Sequence, residues 1–338
     1  MTQTELKLVD CSGSPREMGR QYGEQAKEEI RSNLARFSVP RPEAMLRLMR
    51  NNLEKYAPEV LEELEGIAEG SGSDPDAVLA YNHWELNCDD AERCTVMLLH
   101  SESEGILTAK NNDSPVDEDG RFVIRRGKSL HGIPFVQVTY AGSLSGLDMI
   151  NAEGLCNMHG SVGSRFARPQ SPLDIRLRLY RLMQTCRTAA ELAEGLRKLP
   201  LTGKGFSIGV SDRNGDSVFL DAAVPFIAER ARNRKFAFST NLYEAQGFEN
   251  ADMRDPAKRN ICLFRNGYLQ WVARTAPPEN LEQLQKLLSS HDPWAPCRHG
   301  GPHGSVTDWS FIAAPHLGKL LISSGPPCRS QYREYPLP

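Results

Sequence analysis

The segment Arg93-Cys94-Thr95-Val96-Met97-Leu98-Leu99-His100 places a thiol at the head of an apolar, strand-like run. One hairpin later stands the polar cluster Lys110-Asn111-Asn112-Asp113. A cysteine at the start of a strand, beside such a cluster, is the arrangement that an N-terminal nucleophile requires. If the chain is cut before Cys94, this residue carries both the thiol and a new α-amine, and one residue can then act as nucleophile and base.

The chemistry of such a cut is simple. The thiol of Cys94 adds to the Arg93 carbonyl, an ester-like linkage forms, and water hydrolyses it. The freed α-amine has an ordinary pKa of about 7.7 to 8.0, against about 10.4 for lysine, so it can accept a proton at neutral pH. The alternative is that Cys94 is a buried strand cysteine and Thr95 its β-branched neighbour, and the local sequence alone favours that alternative.

Composition excludes several classes of protein. The chain has 338 residues, 40% apolar and 25% charged, with a net charge of -3, which is typical of one large or two small globular domains and gives no sign of nucleic-acid binding. The first twenty residues lack an apolar signal core, and no run reaches the ~18 to 20 apolar residues of a membrane span. We therefore predict a cytoplasmic protein with no membrane partner, whose eight dispersed cysteines are reduced thiols.

The first 93 residues have a helical pattern. Ser14, Pro15 and Glu17 form a capping-box signature, which predicts a helix to about Leu34. Gly19 and Gly23 lie one turn apart, where the lack of side chains would allow another element to pack closely. Further helices are predicted at 42–56, 58–69 and 74–86, and later at 172–185, 189–199, 256–272 and 281–288.

The pattern changes to short strands after Cys88. They are predicted at 95–100, 105–109, 122–126, 135–140, 147–150, 155–159, 206–210, 218–223, 226–231, 309–314 and 320–323. Strand runs interleaved with helix pairs favour an α+β fold with helices layered outside packed sheets. The chain thus divides into a helical segment, 1–93, that packs on a domain formed by 94–338.

Several segments, taken in order, resemble one family, the autoproteolytic acyltransferases and hydrolases typified by acyl-CoA:6-aminopenicillanic acid acyltransferase, in the Ntn-hydrolase superfamily. The matching segments are Gly13-Ser14-Pro15-Arg16-Glu17-Met18-Gly19 with Gly23, Cys94-Thr95, Lys110-Asn111-Asn112-Asp113, Met149-Ile150-Asn151-Ala152-Glu153-Gly154-Leu155, Ser239-Thr240-Asn241, and Gly325-Pro326-Pro327-Cys328 with Tyr332. Each segment is weakly specific, and together they span most of the chain.

The resemblance implies an αββα four-layer Ntn-hydrolase sandwich, with cleavage between Arg93 and Cys94 into chains 1–93 and 94–338. Cys94 would be the nucleophile, Asp113 the carboxylate that holds or tunes its amine, and Asn241 a neutral donor to the oxyanion. From the residues alone, Asp113 and Asn241 could instead be turn residues. The second oxyanion donor would be the backbone N–H of Gly160, where the family usually has asparagine.

Two further departures concern the cleavage rate and the substrate. Arg93 stands where a smaller residue is common in the family, and Lys110 stands where related motifs have Arg or Gln. We expect Lys110 to be a substrate-binding residue. The tract at 292–305 predicts a loop at the substrate entrance, where Arg298 or His303 could meet an anionic group. Its Cys297 and two histidines match no established zinc spacing, so no metal is predicted.

These features predict a self-cleaving cysteine amidohydrolase or N-acyltransferase that forms an acyl-enzyme from an amide or a thioester. No cofactor is expected, although an acyl-CoA is a candidate substrate. Two alternatives stay open: an unprocessed thiol hydrolase with a Cys/His pair, and a non-catalytic binding scaffold. Expected partners are the small-molecule substrate and the two cleaved chains themselves, with a homo-oligomer as a further option.

Overall fold

Two β-sheets pack face to face, and helices cover both outer faces. The structure is a computed structural model that describes residues 5–37, 40–83, 94–116, 120–168, 171–291, 293–300 and 304–338. The predicted α+β class and the αββα layering are confirmed.

The first sheet has eight strands in the order β1-β4-β5-β6-β7-β10-β11-β12. Their bounds are β1 Lys7–Gly13, β4 Phe122–Ser129, β5 Phe135–Tyr140, β6 Met149–Asn151, β7 Cys156–Ser161, β10 Phe206–Ser211, β11 Ser217–Ala223 and β12 Phe226–Glu229. All its pairs are antiparallel except β1 with β4. A separate parallel pair joins β8 Leu173–Asp174 to β9 Leu201–Thr202.

The second sheet has six antiparallel strands in the order β13-β2-β3-β14-β15-β16. Their bounds are β2 Thr95–Ser101, β3 Gly105–Pro115, β13 Phe236–Ser239, β14 Ser305–Ala314, β15 Lys319–Ser324 and β16 Arg333–Tyr335. The central hairpin of this sheet, β2–β3, is the one that the opening segment predicts.

The described residues form helices at α1 Pro15–Gln25, α2 Lys27–Phe37, α3 Glu43–Tyr56, α4 Pro58–Ser71, α5 Pro75–Tyr81, α6 Ile175–Met183, α7 Ala189–Arg197, α8 Pro256–Thr275 and α9 Leu281–Leu288. Within this part of the chain, none of the helices is both long and apolar enough to cross a membrane.

Three clusters of buried apolar side chains separate the four layers. The largest lies between the eight-stranded sheet and helices α1–α7, and includes Tyr22 and Phe206. The second lies between the two sheets and includes Val96 and Phe311. The third lies between the six-stranded sheet and helices α8 and α9, and includes Leu269. Each sheet is therefore covered on both faces, and β2 and β3 lie at the centre of the molecule.

Helices α1 and α4 cross in close contact through glycines. A Cβ atom added at Gly19 would lie 2.1 Å from the Glu63 carbonyl oxygen, and one at Gly23 would lie 2.6 Å from the Ile67 carbonyl oxygen. A side chain at either position would therefore push the helices apart. The close packing predicted for these two glycines is confirmed, as is the capping box at Ser14.

The N-terminal segment differs from its prediction in two ways. It is not wholly helical, because Lys7–Gly13 forms β1 and pairs in parallel with β4. The helix expected to run to about Leu34 is two helices that meet at Ala26, whose φ of -110° and ψ of 26° lie outside the helical region. Both the strand and the helices bury apolar side chains in the largest cluster. The boundary at residue 93 stays a prediction.

A buried polar network also joins this segment to the rest of the chain. The Arg125 guanidinium forms an ion pair with Glu63 of α4, and the Tyr180 hydroxyl lies 2.9 Å from both Glu63 carboxylate oxygens. Arg125 and Tyr180 lie on β4 and α6, so three elements meet here. Loss of one partner from a buried ion pair strongly lowers the stability of the fold, because the other charge is left without compensation.

Candidate active site

The β2–β3 hairpin brings Cys94 to the polar cluster predicted opposite it. Thr95, the first residue of β2, pairs with Asn111. Cys94 immediately precedes it and is fully buried. Its thiol donates a 3.5 Å hydrogen bond to the Asn112 side-chain oxygen, and its Sγ lies 4.0 Å from the Asp113 carbonyl oxygen. The candidate nucleophile therefore lies beside the backbone of the residue that carries the candidate carboxylate.

Side chains of the hairpin alternate between two environments. Val96 lies in the cluster between the sheets, whereas Met97 lies in the cluster under α8 and α9. By the two-residue period of a strand, Lys110 and Asn112 face the other sheet and Asp113 faces the helices. The candidate site therefore has one part on each face of the six-stranded sheet, with Cys94 at the strand end between them.

Asp113 is buried, and one of its oxygens is not bonded. Its Oδ1 accepts a 2.7 Å hydrogen bond from the Thr307 hydroxyl, whereas Oδ2 has no hydrogen-bond partner among the described residues. Burial raises the pKa of Asp113 to about 6, although the positive charges of Arg265 and Arg298 and the Thr307 bond oppose the rise. A carboxyl group of this kind can exchange a proton near neutral pH.

The strand next to Asp113 carries a β-bulge. The pairing of β14 with β3 shifts between Thr307 and Trp309, so Asp308 is the extra residue. Its carboxylate Oδ2 accepts hydrogen bonds from the Asn112 amide at 3.2 Å and the Ser114 hydroxyl at 2.5 Å. Bulges reorient side chains next to functional sites. Here the bulge orients the Asn112 amide, so its oxygen faces the Cys94 thiol.

Arg265 of α8 joins the candidate residues, and sequence reasoning missed it. Its Nη2 donates to the Cys94 carbonyl oxygen at 2.6 Å and to the Thr95 hydroxyl at 2.5 Å, while Nη1 donates to Asn241 Oδ1 at 3.2 Å. A signal was available: helical spacing puts Arg265 on the same face as the buried residues Cys262 and Leu269. An arginine on the buried face of a helix needs a polar partner.

Asn241 lies two residues after the end of β13, in an unusual backbone conformation. Its φ is +63°, a left-handed geometry that asparagine tolerates better than most residues. The side-chain Nδ2 donates a 2.8 Å hydrogen bond to the Ser161 carbonyl oxygen. A side-chain amide nitrogen carries two hydrogens, so this bond uses one of them. The structure brings Asn241 into the site through Arg265, and its oxyanion role stays a prediction.

Gly160 lies beside Asn241, on β7. A Cβ atom at Gly160 would lie 3.3 Å from Asn241 Nδ2, a contact tighter than side chains normally accept. Glycine at this position therefore lets Asn241 approach the strand. Gly160 pairs with Ser207 of β10 in the sheet. The proposed donor role of its backbone N–H stays a prediction.

Lys110 faces the space between the sheets and has anionic and aromatic neighbours. Its Nζ donates to Asp148 Oδ2 at 2.7 Å, lies 3.2 Å from His159 Nδ1 and stands 4.9 Å above the Trp309 ring. Burial alone would raise the pKa of Asp148, but the charges of His159 and Lys110 hold it below its usual range. Asp148, His159, Trp309 and Asn112 line a small cleft. The substrate role of Lys110 stays a prediction, and sequence reasoning missed Asp148 and His159.

The remaining predicted residues are Arg298 and His303, in the sequence before β14, and Arg93, just before Cys94. Arg298 is buried rather than exposed on an open loop. Its backbone N–H donates a 3.0 Å hydrogen bond to the Thr307 hydroxyl, the group that in turn bonds Asp113. His303 lies outside the described residues. Arg93 does too, together with the whole stretch 84–93.

Comparison with known proteins gives only distant similarities. No protein-family model matches the chain, and no curated protein matches it either. Among solved structures, two single-residue variants of the conjugated bile acid hydrolase from Clostridium perfringens are similar, each at 10% sequence identity with a TM-score of 0.41. Each comparison covers 72% of this chain and 97% of the other. The fold assignment therefore rests on the layers and strand order described above.

Proposed function

We propose that the chain is a cysteine amidohydrolase that cleaves itself before Cys94. One observation carries the proposal: Arg265 links Asn241 to Cys94, and Cys94 lies beside the Asp113 backbone. Arg265 bonds both the Cys94 carbonyl and the Asn241 amide, and the Cys94 Sγ lies 4.0 Å from the Asp113 backbone. A buried thiol, a carboxyl group near neutral pKa and an amide donor are the groups that acyl transfer requires.

Self-cleavage begins with the thiol of Cys94. Its sulfur adds to the Arg93 carbonyl carbon, and the thiol proton passes to the leaving amide nitrogen as the C–N bond breaks. The result is a thioester of Arg93 and a free α-amine on Cys94. Asp113 is the candidate proton acceptor of the site, because burial raises its pKa to about 6 and its Oδ2 has no hydrogen-bond partner among the described residues. Water then hydrolyses the thioester and restores the thiol.

The mature enzyme would use the same groups on a substrate. The new α-amine takes the thiol proton, the thiolate attacks an amide or thioester carbonyl, and the second N–H of Asn241 Nδ2 donates to the oxyanion. Arg265 holds the Cys94 carbonyl, so it fixes the orientation of the nucleophile. Expulsion of the amine or thiol gives an acyl-enzyme. If water attacks the acyl-enzyme, the enzyme is a hydrolase; if a second amine attacks it, the enzyme is an acyltransferase.

Intact mass tests the proposal. Wild-type protein should give two chains, 1–93 and 94–338, whereas Cys94→Ala should give a single uncut chain. Cys186→Ala is a matched control, because Cys186 is also a buried cysteine but lies on the opposite side of the eight-stranded sheet, in the first apolar cluster. Cleavage of the Cys94→Ala variant, or an uncut wild type that retains full thiol-dependent activity, would reject the mechanism. The second outcome would favour an unprocessed thiol hydrolase.

Alkylation gives an independent test. Once the chain is cut, the amine beside the Cys94 thiol should raise its thiolate fraction above that of the other cysteines. Iodoacetamide applied to the native protein, followed by peptide mass spectrometry, should modify Cys94 first. Slow and uniform modification of all cysteines would favour a binding scaffold.

A further inference from the structure

Four potential metal ligands from three separate segments meet at one point near the end of β3. His291 follows α9, Cys297 and His299 lie in the loop before β14, and Cys328 lies in the turn after β15. One ligand atom from each residue lies within 4.8 Å of all the others. Sequence spacing did not predict a metal, because the spacing of Cys297 and His299 fits no established zinc pattern and the second cysteine, Cys328, lies beyond β14 and β15 in the chain.

The distances suit tetrahedral coordination. The Nε2 atoms of His291 and His299 are 3.0 Å apart, and His299 Nε2 lies 3.6 Å from the Cys297 sulfur and 3.0 Å from the Cys328 sulfur. Zinc bonds of about 2.0 to 2.1 Å to nitrogen and about 2.3 Å to sulfur place neighbouring tetrahedral ligands about 3.3 to 3.8 Å apart. Small side-chain shifts would bring these four atoms to that geometry.

Hydrogen bonding alone does not explain the cluster. His299 Nε2 faces three polar atoms at once, one nitrogen and two sulfurs. A neutral imidazole nitrogen offers either one hydrogen or one lone pair, so it can satisfy only one of the three. A cation at the centre would satisfy all four ligands together. Two thiolates and two imidazoles form the Cys2His2 set that zinc prefers in structural sites.

The cluster is rigidly held. The rings of His291 and His299 stack with centroids 5.0 Å apart and planes at 22°. His299 pairs with Val306 in an isolated β-bridge, and the Cys297 N–H donates to the Ser290 carbonyl. Ligands that are oriented before metal binding lose little conformational freedom when the metal arrives. Such pre-orientation favours a structural site over an accidental contact of surface side chains.

The loop between the ligands continues to the candidate active site. Arg298, between Cys297 and His299, donates its backbone N–H to the Thr307 hydroxyl, and Thr307 donates to Asp113 Oδ1. A metal that fixes Cys297 and His299 would therefore fix Arg298 and Thr307 against Asp113. Cys328 adds the C-terminal turn to the same anchor.

We propose that His291, Cys297, His299 and Cys328 bind one structural zinc ion, which anchors the Arg298 loop and the C-terminal turn beside Asp113. The four residues act on the reaction only by positioning, because none of them touches Cys94 in the described structure. Zinc binding does not depend on self-cleavage, so Cys94→Ala should keep its zinc.

Elemental analysis tests the proposal. Full-length protein purified without chelators should contain about one zinc ion per chain, and the double variant Cys297→Ser/Cys328→Ser should contain almost none. Cys186→Ser should keep the metal. Apo protein given Co²⁺ should show tetrahedral d–d bands and a thiolate-to-cobalt charge-transfer band, which His291→Ala should weaken and shift.

Opposite outcomes would overturn the site. A metal-free wild type that still takes up no zinc at micromolar concentration would reject it, and so would retention of zinc by the double variant. Peptide mapping that finds a Cys297–Cys328 disulfide in freshly purified protein would show a redox pair instead. If the double variant fails to fold, the Co²⁺ spectrum of His291→Ala tests the site instead. His291 is exposed, so its replacement should cost little in packing.

Discussion

Arg125 and Arg265 are both fully buried arginines, but their partners differ. Arg125 pairs with the Glu63 carboxylate, whose two oxygens also accept from Tyr180. Arg265 donates instead to neutral oxygens of Cys94, Thr95 and Asn241. The nearby carboxylate of Asp113 has one oxygen without a hydrogen-bond partner among the described residues, and burial raises its pKa.

The two arginines differ in the charge of their partners. Around Arg125 the positive charge is matched by the Glu63 carboxylate, and both Glu63 oxygens accept hydrogen bonds from Tyr180, so the network holds three elements together. Around Arg265 the partners are neutral oxygens of Cys94, Thr95 and Asn241, which are groups that the proposed acyl transfer uses. Perturbed and incompletely bonded groups are typical of functional sites.

The largest expected effect is on stability, at the matched network. Glu63→Leu leaves the Arg125 charge buried without its partner, so we expect the free energy of unfolding to fall by about 3 to 5 kcal/mol. Urea unfolding of Cys94→Ala protein measures the change in a single uncut chain. Glu65→Leu, which breaks half-exposed ion pairs on the same helix, should cost no more than about 1 kcal/mol. Equal losses in both variants would contradict the structural role.

The next effect is on the rate of self-cleavage, at the network around Arg265. Arg265→Lys keeps a positive charge but loses the fork that bonds Cys94, Thr95 and Asn241 together, so cleavage should slow by about 100-fold or more. The mass of pulse-labelled protein over time measures the rate. Arg274→Lys, an exposed change on the same helix, should cleave at the wild-type rate. Normal cleavage in a folded Arg265→Lys protein would remove Arg265 from the mechanism.

The third effect is a pH dependence of stability that comes from Asp113. Burial raises its pKa to about 6 in the folded chain, whereas an unfolded aspartate titrates near about 3.9. The folded chain thus holds this proton more tightly. Its contribution is favourable at low pH and is lost as the pH rises from about 4 to about 6, by on the order of 3 kcal/mol.

Asp113→Asn in the uncut Cys94→Ala background should remove that pH dependence. Thermal unfolding midpoints across this pH range, with and without the asparagine change, measure it. As the pH rises, the unfolding midpoint of the Asp113→Asn protein should increase relative to that of its parent. Curves that stay parallel would show that Asp113 titrates at its ordinary pKa.

Local patterns predicted most of the elements, because periodicity and capping act over a few residues. The β2–β3 hairpin, the Ser14 cap and the helix at Leu281–Leu288 follow from such short-range signals. The strand β1 was missed, although Val9 and Cys11 alternate with exposed residues, because the helical pattern of the N-terminal segment was extended to its first residues. Its parallel pairing with β4 depends on contacts that span more than a hundred residues.

The candidate site could be predicted only in part, because the sequence shows short motifs but not contacts between distant segments. Cys94, Asp113 and Asn241 carry motif signals, whereas Arg265 is placed only by the packing of α8 on the six-stranded sheet. Asp148 and His159 reach Lys110 across the space between the sheets, a contact that no sequence spacing encodes. The ligand cluster at His299 has the same origin, because it forms only when the turn that carries Cys328 folds back onto the segment from His291 to His299.

The proposed nucleophile exists only once the Arg93–Cys94 bond is broken. N-terminal sequencing of the larger chain of purified wild-type protein tests this requirement most directly. We expect a chain that begins Cys-Thr-Val-Met and stays bound to the 1–93 chain through β1 and the Glu63–Arg125 pair. A protein that reacts fully at Cys94 while its only N-terminus is that of the uncut 338-residue chain would contradict it.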